Sequence, residues 1–260
     1  MKKIKVTAVS YLNTKPLLYG LINHPIINEL ELTIDIPSVC AQKLVDNQVD
    51  LALVPVAAIP QLKTPYIISD FCIGTEGAVQ TVCIYADRPI EELDTIYLDY
   101  HSRTSVELSK LLLKEYWQLS PRLIHGKEGY IEKIKESSGG LIIGDRTIGM
   151  EERFAYTYDL GAIWEQHTGL PFVFAAWVSN KKLSPVFVER FNEALKVGLS
   201  QIPALKLLLQ SPHPDFDLET YFTKYISYTL DTSKKKALHR FLNYLKEDLQ
   251  ASITESLLMV

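Results

Sequence analysis

The first 54 residues alternate strand, helix, strand, helix, strand, with connections of only a few residues, and this order limits the fold more than any other feature. Residues 4–9 form an apolar strand run, and residues 10–14 (Ser-Tyr-Leu-Asn-Thr) a polar turn. Lys15-Pro16-Leu17 opens a short helix, with Thr14 expected as its cap and Pro16 in its first turn. Residues 30–36 alternate as a second strand, Pro37-Ser38 opens a helix through Asp46, and residues 50–54 are a third strand. Strands joined by short helical crossovers pair in parallel and build an α/β layer. In open sheets of this kind ligands sit beyond the carboxyl ends of the strands. The turns at 10–14 and 55–58 are expected there.

Two more strands are expected at 66–73 and 78–86, and a second alternation follows. It comprises a strand at 95–98, a helix at 104–117, a strand at 122–125, a helix at 129–136, a strand at 140–144, a helix at 160–167 and a strand at 172–178. From Ser184 onward the pattern is helical throughout, over 185–201, 202–209, 218–225 and 233–249. A helical tail cannot bury its apolar faces alone, so it is expected to pack back on the first lobe. The expected architecture is α/β and two-lobed, with a hinged ligand cleft. Lobe 1 would comprise residues 1–87 and 179–260, including the C-terminal helices, and lobe 2 residues 88–178.

At 260 residues the chain can support two lobes with their own cores. A hydrophobic content of 47% with 22% charged residues is that of a water-soluble globular protein. A net charge of -4 with no basic stripe argues against nucleic acid as a partner. The Lys234-Lys235-Lys236 run reads as the solvated face of a helix. Neither a signal-peptide core nor an 18-residue apolar span is found, so a cytoplasmic location without membrane contact is expected. Cys40, Cys72 and Cys83 fit neither a disulfide framework nor a zinc pattern and read as buried reduced thiols. A homodimer is left open.

The central strand-to-helix junction is Leu98-Asp-Tyr-His-Ser-Arg-Thr-Ser105. A helix start carries bare N–H groups and the positive end of the backbone dipole. Ser102, Thr104 and Ser105 with Arg103 make it suited to a carboxylate or phosphate; the alternative is an ordinary N-cap. No metal cluster, phosphate loop or nucleophile elbow accompanies it, so neither metal nor cofactor is expected. The inventory is one of neutral hydrogen-bonding groups, Ser10, Asn13, Thr14, Thr81, Ser102, Thr104 and Ser105, beside the charges of Arg103, Asp145 and Arg146. It suits a small anionic molecule. Alternatives stay open for several of these. Asn13 also reads as a turn residue, Thr81 as a structural strand residue, and Arg146 as an ion pair with Asp145. His101 reads as a loop residue or a proton donor.

The ordered segments 9–14 (Val-Ser-Tyr-Leu-Asn-Thr), 49–55 (Val-Asp-Leu-Ala-Leu-Val-Pro), 98–105, 141–146 (Leu-Ile-Ile-Gly-Asp-Arg) and 159–174 (Asp-Leu-Gly-x-x-Trp…Thr-Gly-Leu-Pro-Phe-Val-Phe), with Tyr225-Ile-Ser-Tyr228 in the tail, resemble the chorismate dehydratase family of the futalosine route to menaquinone. The resemblance implies a type II periplasmic-binding-protein-like fold used inside the cell, and a cofactor-independent hydro-lyase. Chorismate would lose water to give 3-[(1-carboxyvinyl)oxy]benzoate. It further implies Asn13 and Thr81 as catalytic residues, and Ser10, Ser102, Arg103, Thr104, Ser105, Asp145 and Arg146 as substrate-binding residues. The general base would be a substrate carboxylate, His101 or Asp145. Where the family usually has Ser, this chain has Thr81. The sister enzyme that makes 1,4-dihydroxy-6-naphthoate carries a His where this chain has Gly144-Asp145-Arg146. That enzyme and a non-catalytic carboxylate-binding protein are the alternatives.

Overall fold

The structure is a computed structural model, and it describes residues 3–258, with side chains over 3–248. The outermost residues of the expected lobe 1, 1–2 and 259–260, lie outside the described residues. Two sheets form the frame. In the first, β1 (Ile4–Val9) lies between β2 (Leu30–Asp35) and β3 (Leu51–Pro55), parallel to both. The helices α1 (Lys15–Asn23) and α2 (Pro37–Val45) make the crossovers, each with a proline in its first turn. The parallel alternation is therefore present, and β1 and β3 bury nearly continuous apolar runs as strands covered on both faces do. Thr14 precedes α1 without capping it, because its hydroxyl donates to Asn13 Oδ1 at 3.2 Å.

Beyond β3 the first sheet continues with β10 (Phe172–Ser179), β4 (Tyr66–Thr75) and β11 (Ser227–Thr229), each antiparallel to its neighbour. The second sheet has the order β7 (Arg122–His125), β6 (Thr95–Leu98), β8 (Ser138–Ile143), β5 (Val82–Ala86), β9 (Tyr156–Asp159). Two strands thus fall on the other side of the expected boundaries at 88 and 178. The strand β5 belongs to the second sheet and β10 to the first, so the chain passes between sheets earlier, at 76–81 and after α4 (Leu160–Thr168). Both are uniformly buried, and such a run does not reveal which sheet it joins.

The tail packs on the first sheet as expected. The helix α5 (Pro185–Ser200) lies so close on α1 that a Cβ at Gly20 would sit 2.0 Å from Ala194 O, and one at Gly198 2.1 Å from Pro16 O. Only glycine allows that approach. After α6 (Ile202–Leu208), the short α7 (Leu218–Thr220) runs into a π-helical turn, Tyr221–Tyr225, and then into β11. This strand breaks the expected all-helical tail; at three residues it is too short to show a period. The last helix, α8 (Thr232–Leu258), buries Phe241 against Trp164 and Phe172. Each such side chain contributes roughly 1.5–3 kcal/mol by leaving water, which outweighs the tail's exposed ion pairs.

Three local expectations are corrected. Lys234 is not on a solvated face. Its side chain is 1% exposed, and its ammonium meets Glu76 at 2.6 Å and Asp231 at 3.2 Å. Burial works against its charge, but the two carboxylates more than compensate and raise its pKa. Residues 129–136 form only a 3-10 turn at Tyr130–Lys133, bounded by positive φ at Gly129 and Glu136. The strand β9 has no counterpart in the expectation. The three cysteines are free and buried, as read.

Candidate active site

The turns beyond the carboxyl ends of β1, β3 and β8 face one another across a narrow cavity of about 60 Å³. One wall comes from the first sheet: Val9, Tyr11, Asn13, Pro55 and Ile73, with Phe174 and Ala175 of β10. The other comes from the second sheet and the start of α3 (Thr104–Glu115). It presents Thr81, Val82, Ser102, Thr104, Ser105, Ile143 and Gly144. Among the described residues the wall holds no Asp, Glu, Lys, Arg or His.

The geometry brings together Asn13, Thr81, Ser102, Thr104 and Ser105. They differ in what they have left to offer. Ser102 Oγ accepts the Ser105 N–H at 3.0 Å, the capping role that was the alternative reading. Thr104 Oγ1 donates to Phe174 O at 3.0 Å and accepts the Ala57 N–H at 3.2 Å, so its hydroxyl ties α3 to the first sheet. Ser105 is 3% exposed, and its hydroxyl makes no hydrogen bond among the described residues. Asn13 Oδ1 accepts from Thr14, which leaves the amide N–H groups directed to other partners. Its backbone carbonyl is held by Tyr228 Oη at 2.8 Å. Thr81 shares a 2.8 Å hydrogen bond with Tyr221 Oη.

The cavity wall does not include Ser10, Arg103, Asp145 or Arg146. Ser10 donates its N–H to Asp35 O. Arg103 turns outward and donates to Gln61 Oε1 at 3.0 Å and Gln42 Oε1 at 2.8 Å, on the first lobe. Asp145 accepts the Leu12 N–H at 3.0 Å across the cleft, where it caps the 3-10 turn Leu12–Thr14. Burial dominates there and raises its carboxyl pKa, against the pull of the Leu12 N–H and Lys15. Arg146 pairs with Asp99 rather than Asp145, at 2.7 and 2.5 Å. Asp99 is fully buried and also accepts from Ile143 N and His101 N, both at 2.9 Å. A buried carboxylate requires such partners, which is why the guanidinium is drawn to it.

Across the same junction Tyr11 Oη meets His101 Nδ1 at 2.6 Å, and Ser38 N donates to His101 O at 3.2 Å. Burial, and then Arg146, lower the His101 pKa below the ordinary histidine value, against the pull of Asp99. Burial raises the Tyr11 hydroxyl above the usual tyrosine range. Gly144 has φ +65°, and a Cβ there would lie 2.5 Å from the Tyr11 ring. The glycine therefore admits the tyrosine to the cavity wall.

Sequence reasoning missed Tyr11, Asp99, Tyr221 and Tyr228 as members of this constellation. Tyr11, Asp99 and Tyr228 lie inside segments singled out above, where the polar neighbours drew attention first. Tyr221 carries no local signal, since only the folding of the tail onto the first sheet brings it to Thr81.

Two α/β sheets with a cleft between the carboxyl ends of their strands define the periplasmic-binding-protein-like class. Solved structures agree. A protein of Archaeoglobus fulgidus superposes with a TM-score of 0.73 at 16% identity, covering 96% of this chain and 98% of that one. A Candida albicans gene product described as having the generic periplasmic binding protein fold gives 0.57 at 12% identity, covering 93% and 90%. Residues 4–247 match the menaquinone biosynthesis family, and the chain belongs to it. Among relatives, the chorismate dehydratase of Campylobacter jejuni is 26% identical over 248 residues, 92% of this chain and 96% of that protein. The chorismate dehydratase of Thermus thermophilus is 32% identical over 155 residues, 52% of this chain and only 56% of that protein's length. None of the described helices is long and apolar enough to cross a membrane.

Proposed function

We propose that this cleft binds chorismate and eliminates water from it, giving 3-[(1-carboxyvinyl)oxy]benzoate. The C3–H proton and the C4 hydroxyl leave, and the C3–H electron pair completes the aromatic ring. Aromatisation drives the reaction, so the protein's task is to select one conformer and one bond to break. The observation that carries this reading is the uncharged wall with donors left at Ser105 and at Asn13, whose amide gives one of its two N–H groups to Tyr221. In this assignment Ser105 and the N-terminal N–H groups of α3 hold one carboxylate. Ser102 and Thr104 shape that helix start, and Arg103 adds charge from outside the wall. The Asn13 amide donates to the departing C4 hydroxyl, with Thr81 beside it and Ser10 anchoring the turn.

His101 and Asp145 lie off the wall and are engaged across the cleft. That favours the second substrate carboxylate as the base that takes the C3 proton. Arg146 serves by fixing Asp99 and the loop around Tyr100. A cavity of about 60 Å³ has room for a handful of waters only. A ring-sized substrate then enters with the lobes parted and reacts after they close and exclude water.

The test is incubation of the purified protein with chorismate, following the rise of an aromatic product. The wild type is expected to convert it. Asn13→Ala is expected to lose on the order of 10²-fold in kcat, the usual effect of removing one positioned donor. Chorismate bound but not consumed would make the protein a binding module. Turnover unchanged in Asn13→Ala would remove Asn13 from the chemistry.

A further inference from the structure

The tail does more than cover the first sheet, because its π-helical turn delivers one buried hydroxyl to the candidate site. Tyr221 is 1% exposed and packs against Phe216, with ring centroids 5.0 Å apart, and against Phe222 at 5.6 Å. Ile226 N donates to Tyr221 O at 3.0 Å and closes the turn five residues on. Tyr221 and Phe222, at the start of this turn, are both buried before β11 begins. Turns of this kind recur where a side chain must be aimed. Tyr221 Oη then lies 2.8 Å from Thr81 Oγ1 at the foot of the second sheet. The Asn13 side chain also hydrogen-bonds the Tyr221 hydroxyl.

Thr81 has one hydroxyl proton and two candidate acceptors, Val79 O at 3.4 Å and Tyr221 Oη at 2.8 Å. The shorter bond sets its rotamer. Tyr228, the second residue of β11, holds the Asn13 carbonyl from the same tail. We propose that Tyr221 is a positioning residue for this reaction: it fixes the Thr81 hydroxyl on the second-sheet side against the Asn13 turn on the first, so that both point at one substrate only when the lobes are closed. This rests on the dehydratase reading above.

The hydroxyl of Tyr221 is removed with its ring retained in Tyr221→Phe, and the variant is compared with Thr81→Ala and with the double variant. Folding is checked by thermal melting. The expected result is a fall in kcat on the order of tenfold with KM within about twofold, the pattern of an interaction that matters in the transition state. The double variant should be no slower than Thr81→Ala alone, since Tyr221 acts through Thr81. A side chain with only a structural role would instead add its cost to that of Thr81→Ala. Unchanged kcat in Tyr221→Phe, or additive losses, overturns the proposal while leaving the function intact. A wild type that consumes no chorismate overturns both. Should Tyr221→Phe fail to fold, Tyr221→Leu, which also removes the hydroxyl, is read by the same cycle.

Discussion

Two neighbouring parts of the cleft use polar side chains in opposite ways. Around Asn13, Thr81 and Ser105 the groups are neutral, and among the described residues the Ser105 hydroxyl and one of the two Asn13 amide N–H groups are left after Asn13 serves Tyr221. Around Asp99, Arg146, His101 and Tyr11 the groups are charged or titratable, and they are joined to one another. Both sets sit on turns beyond strand ends. The difference shows that among groups that are all buried or half-buried, charge decides which remain for a ligand. A buried charge must be matched by the chain before the ligand arrives, whereas an uncharged hydroxyl or amide can wait at lower cost. In the proposed function, recognition of the anionic substrate then falls to the neutral donors, and the charges hold the loops that carry them.

The sharpest way to break that contrast is Asp99→Ala. Removing one partner of a buried pair leaves Arg146 uncompensated and Ile143 N and His101 N without an acceptor. We expect a loss of about 3–5 kcal/mol, measured by denaturant unfolding. If stability is kept and KM alone collapses, Arg146 is a ligand-binding charge and the division fails.

The same contrast explains what could be read before folding. The parallel alternation through β3, the cleft at the strand ends and the return of the tail all follow from periodicity and from the need to cover apolar faces. The place of Asn13 and Ser105 at the cleft was legible because they lie in polar turns at those ends, whereas Thr81, expected inside a strand, was pointed out by the family resemblance. The engagement of Arg146 with Asp99 was not, since the two are 47 positions apart in sequence and Asp145 stood next door. Nor was the burial of Lys234, whose partner Glu76 lies 158 positions away. The sheet to which β5 and β10 belong was hidden for the same reason. Uniform apolar runs specify burial, and long-range pairing chooses the neighbour.

The point where the two regions touch is Gly144, which sits beside Asp145 and Arg146 and faces the Tyr11 ring. In Gly144→Ala the positive φ and the approach to Tyr11 must both be relieved. We expect about 2 kcal/mol of destabilisation and a raised KM as Tyr11 is displaced. A stable variant with unaltered KM would show that Tyr11 does not shape the neutral wall.

Within the neutral region, adjacent serines should separate cleanly. Ser105→Ala is expected to leave stability within about 0.5 kcal/mol and to raise KM about tenfold, the scale of one hydrogen bond to a charged group. Ser102→Ala is expected to cost about 1 kcal/mol of stability as a lost cap. Equal behaviour of the two in steady-state kinetics and melting would mean that the helix start has no ligand-facing member.

The smallest effect isolates charge from hydrogen bonding at Asp145. Burial holds its folded pKa above the unfolded value. The folded protein therefore binds that proton more tightly than the unfolded chain. The stability contributed is full in acid below the unfolded carboxylate range, and is lost as pH rises through the raised folded pKa. Asp145→Asn keeps an oxygen for the Leu12 N–H and removes the buried charge. Near neutral pH it should be more stable than the wild type by under about 1 kcal/mol, and the gap should close on acidification into the carboxylate range. Comparing thermal melts of the two proteins at each pH cancels the other carboxyl groups. A variant less stable at neutral pH would show that the negative charge itself latches the lobes. The charged region would then take part in closing the cleft rather than merely supporting it.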